Sequence, residues 1–392
     1  MLVIFWCCLG IVLYTYLGYP MVLIFFVKIK RLLSKQDLIF YVKKELPEVD
    51  LVIACYNEAD ILEDKIRNTL AIDYPSELIN IHFVTDGSND ESGLILSKYA
   101  IINHLHSDER KGKNAAINRV LPLLKSSILI FCDANTFLNK EAIFNIVRHY
   151  KDPKVGAVAG EKRVFSTGDN ENAGAGEGAY WKYESQLKKW DSELYSVVGA
   201  AGELFSVRKN LMDAVPDGII IEDFYLSVKI AMNGFKVRYE PEAYAMEAGS
   251  SSIAEERKRK VRISAGGLQA VAIFFPLLNF FKYGLFSFQY ISHRFLRWTL
   301  APLSLLLLII TNVALVYVEA GMFYWLTAVG QLFFYLLAFI GNLLELSGKS
   351  SKVFLIPFYF VFMNLTVYQG FLRLVKGKQS AVWEKSKRAK LG

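Results

Sequence analysis

Three aspartates sit where a chain can do chemistry: Asp86 in Val84-Thr85-Asp86-Gly87-Ser88, Asp133 in Phe131-Cys132-Asp133-Ala134-Asn135, and Asp223 in Ile221-Glu222-Asp223. The first two each end an apolar run that reads as a buried strand, and a basic cluster from Arg257 to Arg262 follows the third. Carboxylates at strand ends with cations nearby suit a site for a divalent metal and a diphosphate. Hard oxygen ligands hold Mg2+ or Mn2+, and arginine grips phosphate oxygens in pairs. Asp133 and Asn135, two apart in an extended segment, present their side chains to one side. Lys113 follows Lys111-Gly112 at the start of a helical pattern, where backbone N–H groups favour anions. It either contacts phosphate, holds an acidic residue, or is a solvated surface lysine.

The elements that must position these residues alternate in type. Val49 to Ala54, Ile79 to Thr85, Ile128 to Cys132 and Val155 to Ala159 are short apolar runs bounded by turn or polar residues. Helical patterns lie between them, around Ile61 to Ala71, Glu91 to Tyr99, Asn114 to Leu124 and Lys140 to Tyr150. This alternation predicts an α/β domain with a mostly parallel sheet covered by helices. Ligands of such sheets bind beyond the carboxyl ends of the strands, where Tyr56-Asn57-Glu58, Asp86-Gly87 and Asp133-Ala134-Asn135 converge. Phe165 to Gly178, rich in Gly, Asn and Asp, reads as a mobile loop.

The rest of the chain reads as membrane-associated. The 392 residues are 53% hydrophobic, too apolar for an ordinary soluble enzyme. The net charge of +7 is concentrated in Lys28 to Lys35, Arg257 to Arg262 and Lys376 to Lys390, beside apolar segments rather than in a nucleic-acid module. Four cysteines show no metal-ligand spacing and read as reduced, buried thiols. Leu2 to Val27 carries no charge and reads as an uncleaved anchor, with the N-terminus outside and the next domain cytoplasmic. A basic start and a small-residue cleavage site, which a signal peptide would want, are missing. Ile253 to Phe281 begins basic, turns apolar and contains Pro276, a pattern of interfacial helices. About three spans follow, near Leu300 to Val318, Met322 to Leu344 and Val353 to Leu374. The expected layout is therefore an anchor over 1–28, a catalytic domain over 45–252, interfacial helices over 253–297, spans over 298–375 and a basic tail over 376–392. Three late crossings put that tail outside, whereas its lysines favour inside. A further crossing near Leu268 to Phe281, or one late segment that does not span, would reconcile the two.

With these elements placed, the chain resembles the membrane-bound glycosyltransferases of family 2, in the group of cellulose, hyaluronan and poly-N-acetylglucosamine synthases. The resemblance covers Pro47 to about Arg262 and extends more loosely to the Trp383 tail. It implies a GT-A-type fold that binds a nucleotide sugar, a UDP-sugar in most of the group, and an inverting, metal-dependent transfer. Tyr56 and Glu58 resemble the first nucleotide-binding turn, and Asp86 the second nucleotide-contacting acid, with Gly87 allowing close approach. Asp133-Ala134-Asn135 resembles the Asp-x-Asp metal motif with a neutral amide in the last place. Lys111-Gly112-Lys113 resembles the Gly-Lys segment, and Gly199, Gly202 and Glu203 resemble the acceptor-side loop. Glu222-Asp223 resembles Thr-Glu-Asp, which makes Asp223 the general base. Arg259 and Arg262 stand in the Gln-x-x-Arg-Trp motif, where Arg262 would hold the diphosphate; Arg259 and Ile263 replace Gln and Trp. The implied partners are a nucleotide-sugar donor, a saccharide or lipid-linked acceptor, membrane lipid, and export or assembly subunits, at a multi-pass cell-membrane location. Two other readings are a polyprenyl-phosphate monosaccharide transferase and a non-catalytic membrane subunit that keeps the fold.

Overall fold

A computed structural model describes residues 1–33, 45–165, 171–347 and 351–377. Most of the basic tail, including Lys385 to Lys390, lies outside the described residues, as does the first part of the segment read as a loop.

Eight strands form one mixed, mostly parallel sheet. In chain order they are β1 (Val49–Cys55), β2 (Ile79–Asp86), β3 (Asn103–Ser107), β4 (Ile128–Asp133), β5 (Phe137–Leu138), β6 (Val155–Phe165), β7 (Leu204–Arg208) and β8 (Lys236–Ala248). Their spatial order is β3-β2-β1-β4-β7-β6-β8-β5. β3, β2, β1 and β4 are mutually parallel, β7 runs antiparallel to both β4 and β6, and β8 is again parallel to β6. The central strands are apolar on both faces because both faces are covered; every residue of β4 is buried. One side packs Leu51, Ile53, Phe83, Ile130 and Ile146, the other Val52, Val84, Phe131, Phe205 and Phe224.

The chain starts with α1 (Leu2–Leu13) and α2 (Tyr19–Leu33), joined by a π-helical turn at Tyr14–Gly18. Within the sheet domain lie α3 (Ala59–Leu70), α4 (Ser92–Leu96), α5 (Lys113–Val120), α6 (Ala142–Val147), α7 (Glu171–Leu194) and α8 (Glu222–Met232). Helix α7 corrects the loop reading of residues 165–178, since the chain is already helical from Glu171. Glycine and asparagine weaken a local helical signal, but propensity is a weak prior and tertiary context overrides it. From Trp181 onwards α7 packs between β6, β8 and α2.

Beyond the sheet come α9 (Ile253–Ile273), α10 (Phe280–Tyr290), α11 (Leu296–Trp298), α12 (Leu300–Tyr317), α13 (Met322–Leu346) and α14 (Lys352–Val375). Among the described residues, four helical stretches are long and apolar enough to cross a membrane: Leu2–Leu33, Leu300–Tyr317, Met322–Leu346 and Val353–Val375. The basic cluster in α9 is less exposed than its charge suggests, because Arg259 and Lys260 are buried against the sheet domain and α14. All four cysteines are free; Cys8, Cys55 and Cys132 are buried, while Cys7 is exposed on the first apolar helix.

Candidate functional site

At the carboxyl ends of β1 and β2, short side chains stitch two loops together. Asn57 adopts a left-handed φ of 52°, its N–H donates to Ser88 Oγ (3.1 Å), and its amide exchanges hydrogen bonds with Asn89. Asp86 Oδ2 accepts from the N–H groups of Lys111 (3.0 Å) and Gly112 (2.6 Å), while its buried Oδ1 has no hydrogen bond and lies 3.6 Å from Arg119. The close approach expected at Gly87 is made by the chain itself: a Cβ there would lie 2.6 Å from Arg110 Cβ. Arg110 in turn lies over the Tyr56 ring at 3.8 Å. Glu58 is buried beside this corner, and its N–H donates to Ser92 Oγ.

The sheet's centre holds the densest charge. Lys113, at the start of α5, places Nζ 2.7 Å from Asp133 Oδ1 and 2.8 Å from Glu222 Oε1. Of the roles open to Lys113, the geometry shows it holding acidic residues. Burial disfavours its charge, but the two carboxylates outweigh that and hold the ammonium well above its ordinary pKa. Burial pushes the Asp133 carboxyl up despite Lys113. Burial also opposes the Glu222 charge, yet Lys113 keeps it below the usual range. Asp223, next along α8, is pushed up to about 7, first by burial and then by the Glu222 carboxylate. A Cβ on Gly202 would lie 3.2 Å from Lys113 Nζ and 3.4 Å from Asp223 Oδ2, so this glycine leaves the space in front of both.

Three expected residues are engaged otherwise than their motifs suggest. Gly199 has φ 91°, and a Cβ there would strike Phe224 at 2.2 Å, so its smallness serves packing of α8. Glu203 pairs with Lys162 (2.6 Å); burial opposes its charge, but Lys162 holds it well below the usual range. Arg259 pairs with Glu256 (3.0 Å) and approaches Glu247 (3.8 Å). Arg262, by contrast, donates to the Ile220 carbonyl (3.0 Å) and otherwise reaches into the cavity, its charge disfavoured by burial. Lys162 and Glu247, which are ion-paired to each other, escaped the sequence reading. They lie on neighbouring strands β6 and β8, and no local motif marks that pairing.

Metal fit rests on Asp133 and Asn135. Asn135 donates its amide to Glu247 Oε1 (3.4 Å), which leaves its buried Oδ1 without a partner. An amide oxygen and a carboxylate are hard ligands of the kind such a cation takes, but Asp133 Oδ1 is held by Lys113 and Ala134-Asn135 form a turn rather than the extended segment the sequence suggests. Among the described residues, no group of three or more His, Cys, Asp or Glu stands ready to hold one alone.

Lys113, Asp133, Glu203, Glu222, Asp223 and Arg262 line one cavity of about 590 Å³ that continues past α7 to α14, whereas Tyr56, Glu58, Asp86 and Asn135 lie outside its lining. The family model for glycosyl transferase family 2 matches residues 50–215, the stretch that carries β1 to β7 and the Asp86, Lys113, Asp133 and Glu203 positions. Over these residues the chain is similar to glycosyltransferase family 2. It is 28% identical over 235 residues to a poly-beta-1,6-N-acetyl-D-glucosamine synthase of Staphylococcus aureus (strain MSSA476), covering 57% of this chain and 55% of that relative. A second synthase of that name, from Staphylococcus epidermidis, is 24% identical over 269 residues, with 65% and 63% covered. The match thus spans little more than half the length of the first relative. Among solved structures, a mannosyltransferase from Pyrobaculum calidifontis, in complex with GDP-Man and Mn2+, superposes with a TM-score of 0.69 at 21% identity. That likeness covers 96% of this chain and all of the other, and it establishes the GT-A-like fold with its long apolar helices.

Proposed function

We propose that this glycosyltransferase moves a sugar from a nucleotide sugar, a UDP-sugar, to a hydroxyl of a saccharide or lipid-linked saccharide at the cytoplasmic face of the membrane. The observation that carries the reading is Asp223: a half-buried carboxyl pushed up to about 7, beside the Lys113–Glu222 pair, facing the space that Gly202 leaves. A base poised near the working pH is what proton removal from an acceptor hydroxyl requires. The acceptor O–H gives its proton to Asp223 as its oxygen bonds the anomeric carbon. The bond from that carbon to the diphosphate breaks on the opposite face, so the anomeric centre inverts and no enzyme nucleophile is used.

The other residues divide the remaining work. Lys113 holds Asp133 and Glu222 in place and neutralises part of their charge. Tyr56, Glu58 and Asp86 surround the strand ends where the nucleotide would lie, and Arg262 presents its guanidinium for the diphosphate. Asp133 and Asn135 would hold Mg2+ or Mn2+, whose charge would offset that of the departing nucleoside diphosphate. Ile263, in place of the family's tryptophan, removes one stacking surface for an extended polymer and favours short products.

The test is nucleoside diphosphate release by protein purified in detergent, with metal and a panel of nucleotide sugars. One donor should support release, and Asp223→Asn should lower it by at least about a hundredfold. Release with no donor, or unchanged release in the variant, overturns the reading and favours a non-catalytic subunit.

A further inference from the structure

Helix α7 turns Trp181, Glu184 and Lys188 toward the catalytic cavity, three positions that fall on one helical face. Glu184 is fully engaged, by Arg294, by Arg297 (3.3 Å) and by His293 (3.4 Å). Asp191, one turn below Lys188, is taken by Tyr19 and His293. Lys188 is the cation left over. It is 4% exposed, and among the described residues its ammonium has neither a hydrogen bond nor an ion pair. The Trp181 ring lies 5.6 Å away, and Glu184, Glu203 and Asp223 attract the ammonium without pairing with it. Such contacts offset only part of the cost of burying an ammonium ion, and burial accordingly lowers the Lys188 pKa. A buried, unpaired charge aimed into a cavity marks a place where a counter-charge binds.

The surroundings say what carries that charge. On the α14 side the wall mixes apolar Leu355, Ile356, Phe360, Met363 and Val367 with Tyr359 and Asn364. Ile356 is also 68% exposed on the outer, apolar surface, so this wall is continuous with the face a bilayer would cover. The apolar residues of α14 offer a hydrocarbon chain a surface to lie on, while the tyrosines and tryptophans of the cavity leave room for its sugar. We propose that the membrane end of the cavity is a subsite for the phosphate of a lipid-linked saccharide, with Lys188 as its counter-ion. The hydrocarbon chain lies along α14, and the terminal sugar hydroxyl reaches Asp223. This rests on the transferase reading and selects, within it, an acceptor that is both anionic and amphiphilic.

One disaccharide presented in four ways tests it: on polyprenyl diphosphate, on a phosphatidyl headgroup, on neutral diacylglycerol, and free in solution. The phosphate-bearing lipids should be the better acceptors, and the better of the two identifies the source of the phosphate. Lys188→Met should raise the KM for that acceptor about tenfold or more, with donor KM and donor hydrolysis changed less than about twofold, and Lys188→Arg should restore it. Equal use of neutral and free acceptors overturns the subsite. So does a Lys188→Met loss that falls equally on all acceptors and on donor hydrolysis, which would mark a structural role. Thermal stabilisation of the protein by the phosphate-bearing lipid, measured without donor, keeps the two readings apart. If no donor is ever turned over while stabilisation still depends on Lys188, the transferase reading fails and the subsite stands. If transfer proceeds while stabilisation ignores the phosphate, the subsite alone fails.

Discussion

Asp223 is useful because its surroundings oppose its charge. Burial and the Glu222 carboxylate raise its pKa to about 7, and it must lose its proton before it can accept one from an acceptor. The turnover rate at saturating donor should therefore climb about tenfold per pH unit below 7 and level off above it. A rate that is flat between pH 5.5 and 8, with metal held constant, would remove Asp223 from the role of base. Stability should run the other way. A raised folded-state pKa favours the protonated form, so this group's contribution is fully present at low pH and is lost as pH rises toward 7. Asp223→Asn should accordingly melt higher than wild type at pH 8 while being inactive. Much of this centre was legible from sequence, because Asp86 and Asp133 end apolar runs and the carboxyl end of a sheet is where ligands gather. The ion pairs that surround it were not. Lys162, Glu203, Glu247 and Arg259 come from β6, the approach to β7, β8 and α9, and only the closed fold brings them together. Lys188 escaped for a related reason: its lack of a partner is a property of the packed cavity, not of α7.

The loop that precedes β7 and the helix that follows Ile221 depend on two glycines with different duties. Gly199 sits at φ 91° with Phe224 where a Cβ would go, and Phe224 is the residue that seats α8 on the sheet. Gly202 has only the tips of Lys113 and Asp223 before it. Gly199→Ala should thus destabilise the protein by about 2 kcal/mol or more, from strain and overpacking together, and lose activity through displacement of α8. Gly202→Ala should leave the melting temperature nearly unchanged and still reduce transfer, because the methyl group occupies acceptor space. Melting curves and transfer rates for the two variants check this; equal losses of stability would deny the separation. The sequence reading treated both glycines as one acceptor loop, since their spacing carries no record of which neighbour each must admit. Helix α7 shows a similar limit. Its first turns are written in Gly, Ala and Asn, residues whose weak helix preference hides the element from a local reading.

Across the whole molecule, the four long apolar helices are not equivalent. The first half of Leu2–Leu33 packs Phe5 and Cys8 against Leu308, Leu315 and Tyr324, whereas its second half docks on the catalytic domain. There Tyr19 meets Asp191, Lys30 donates to the Glu193 and Leu194 carbonyls (2.6 and 2.9 Å), and Arg31 pairs with Glu193. The catalytic face of the membrane is therefore expected near Tyr19. Helix α12 starts on that face and ends beside Phe5, and α13 returns from Tyr324. Helix α14 then behaves differently. Residues Leu355 to Val367, about 20 Å of helix, line the catalytic cavity. Tyr359 donates to Glu256 (3.1 Å), Arg257 to Gln369 (3.0 Å), and Tyr368 to the Pro302 carbonyl at the start of α12. A helix crossing the bilayer would leave the catalytic face within a turn or two, so α14 is expected to lie along the interface. Three crossings would then remain, with Val375 expected on the catalytic side, the side favoured by the lysines that follow it in sequence. Reporter fusions after Leu346 and after Val375 should both read cytoplasmic, and one at the N-terminus should read outside. If the two C-terminal fusions fall on opposite sides, α14 crosses, and the cavity wall it forms would have to belong to a different packing of the helix.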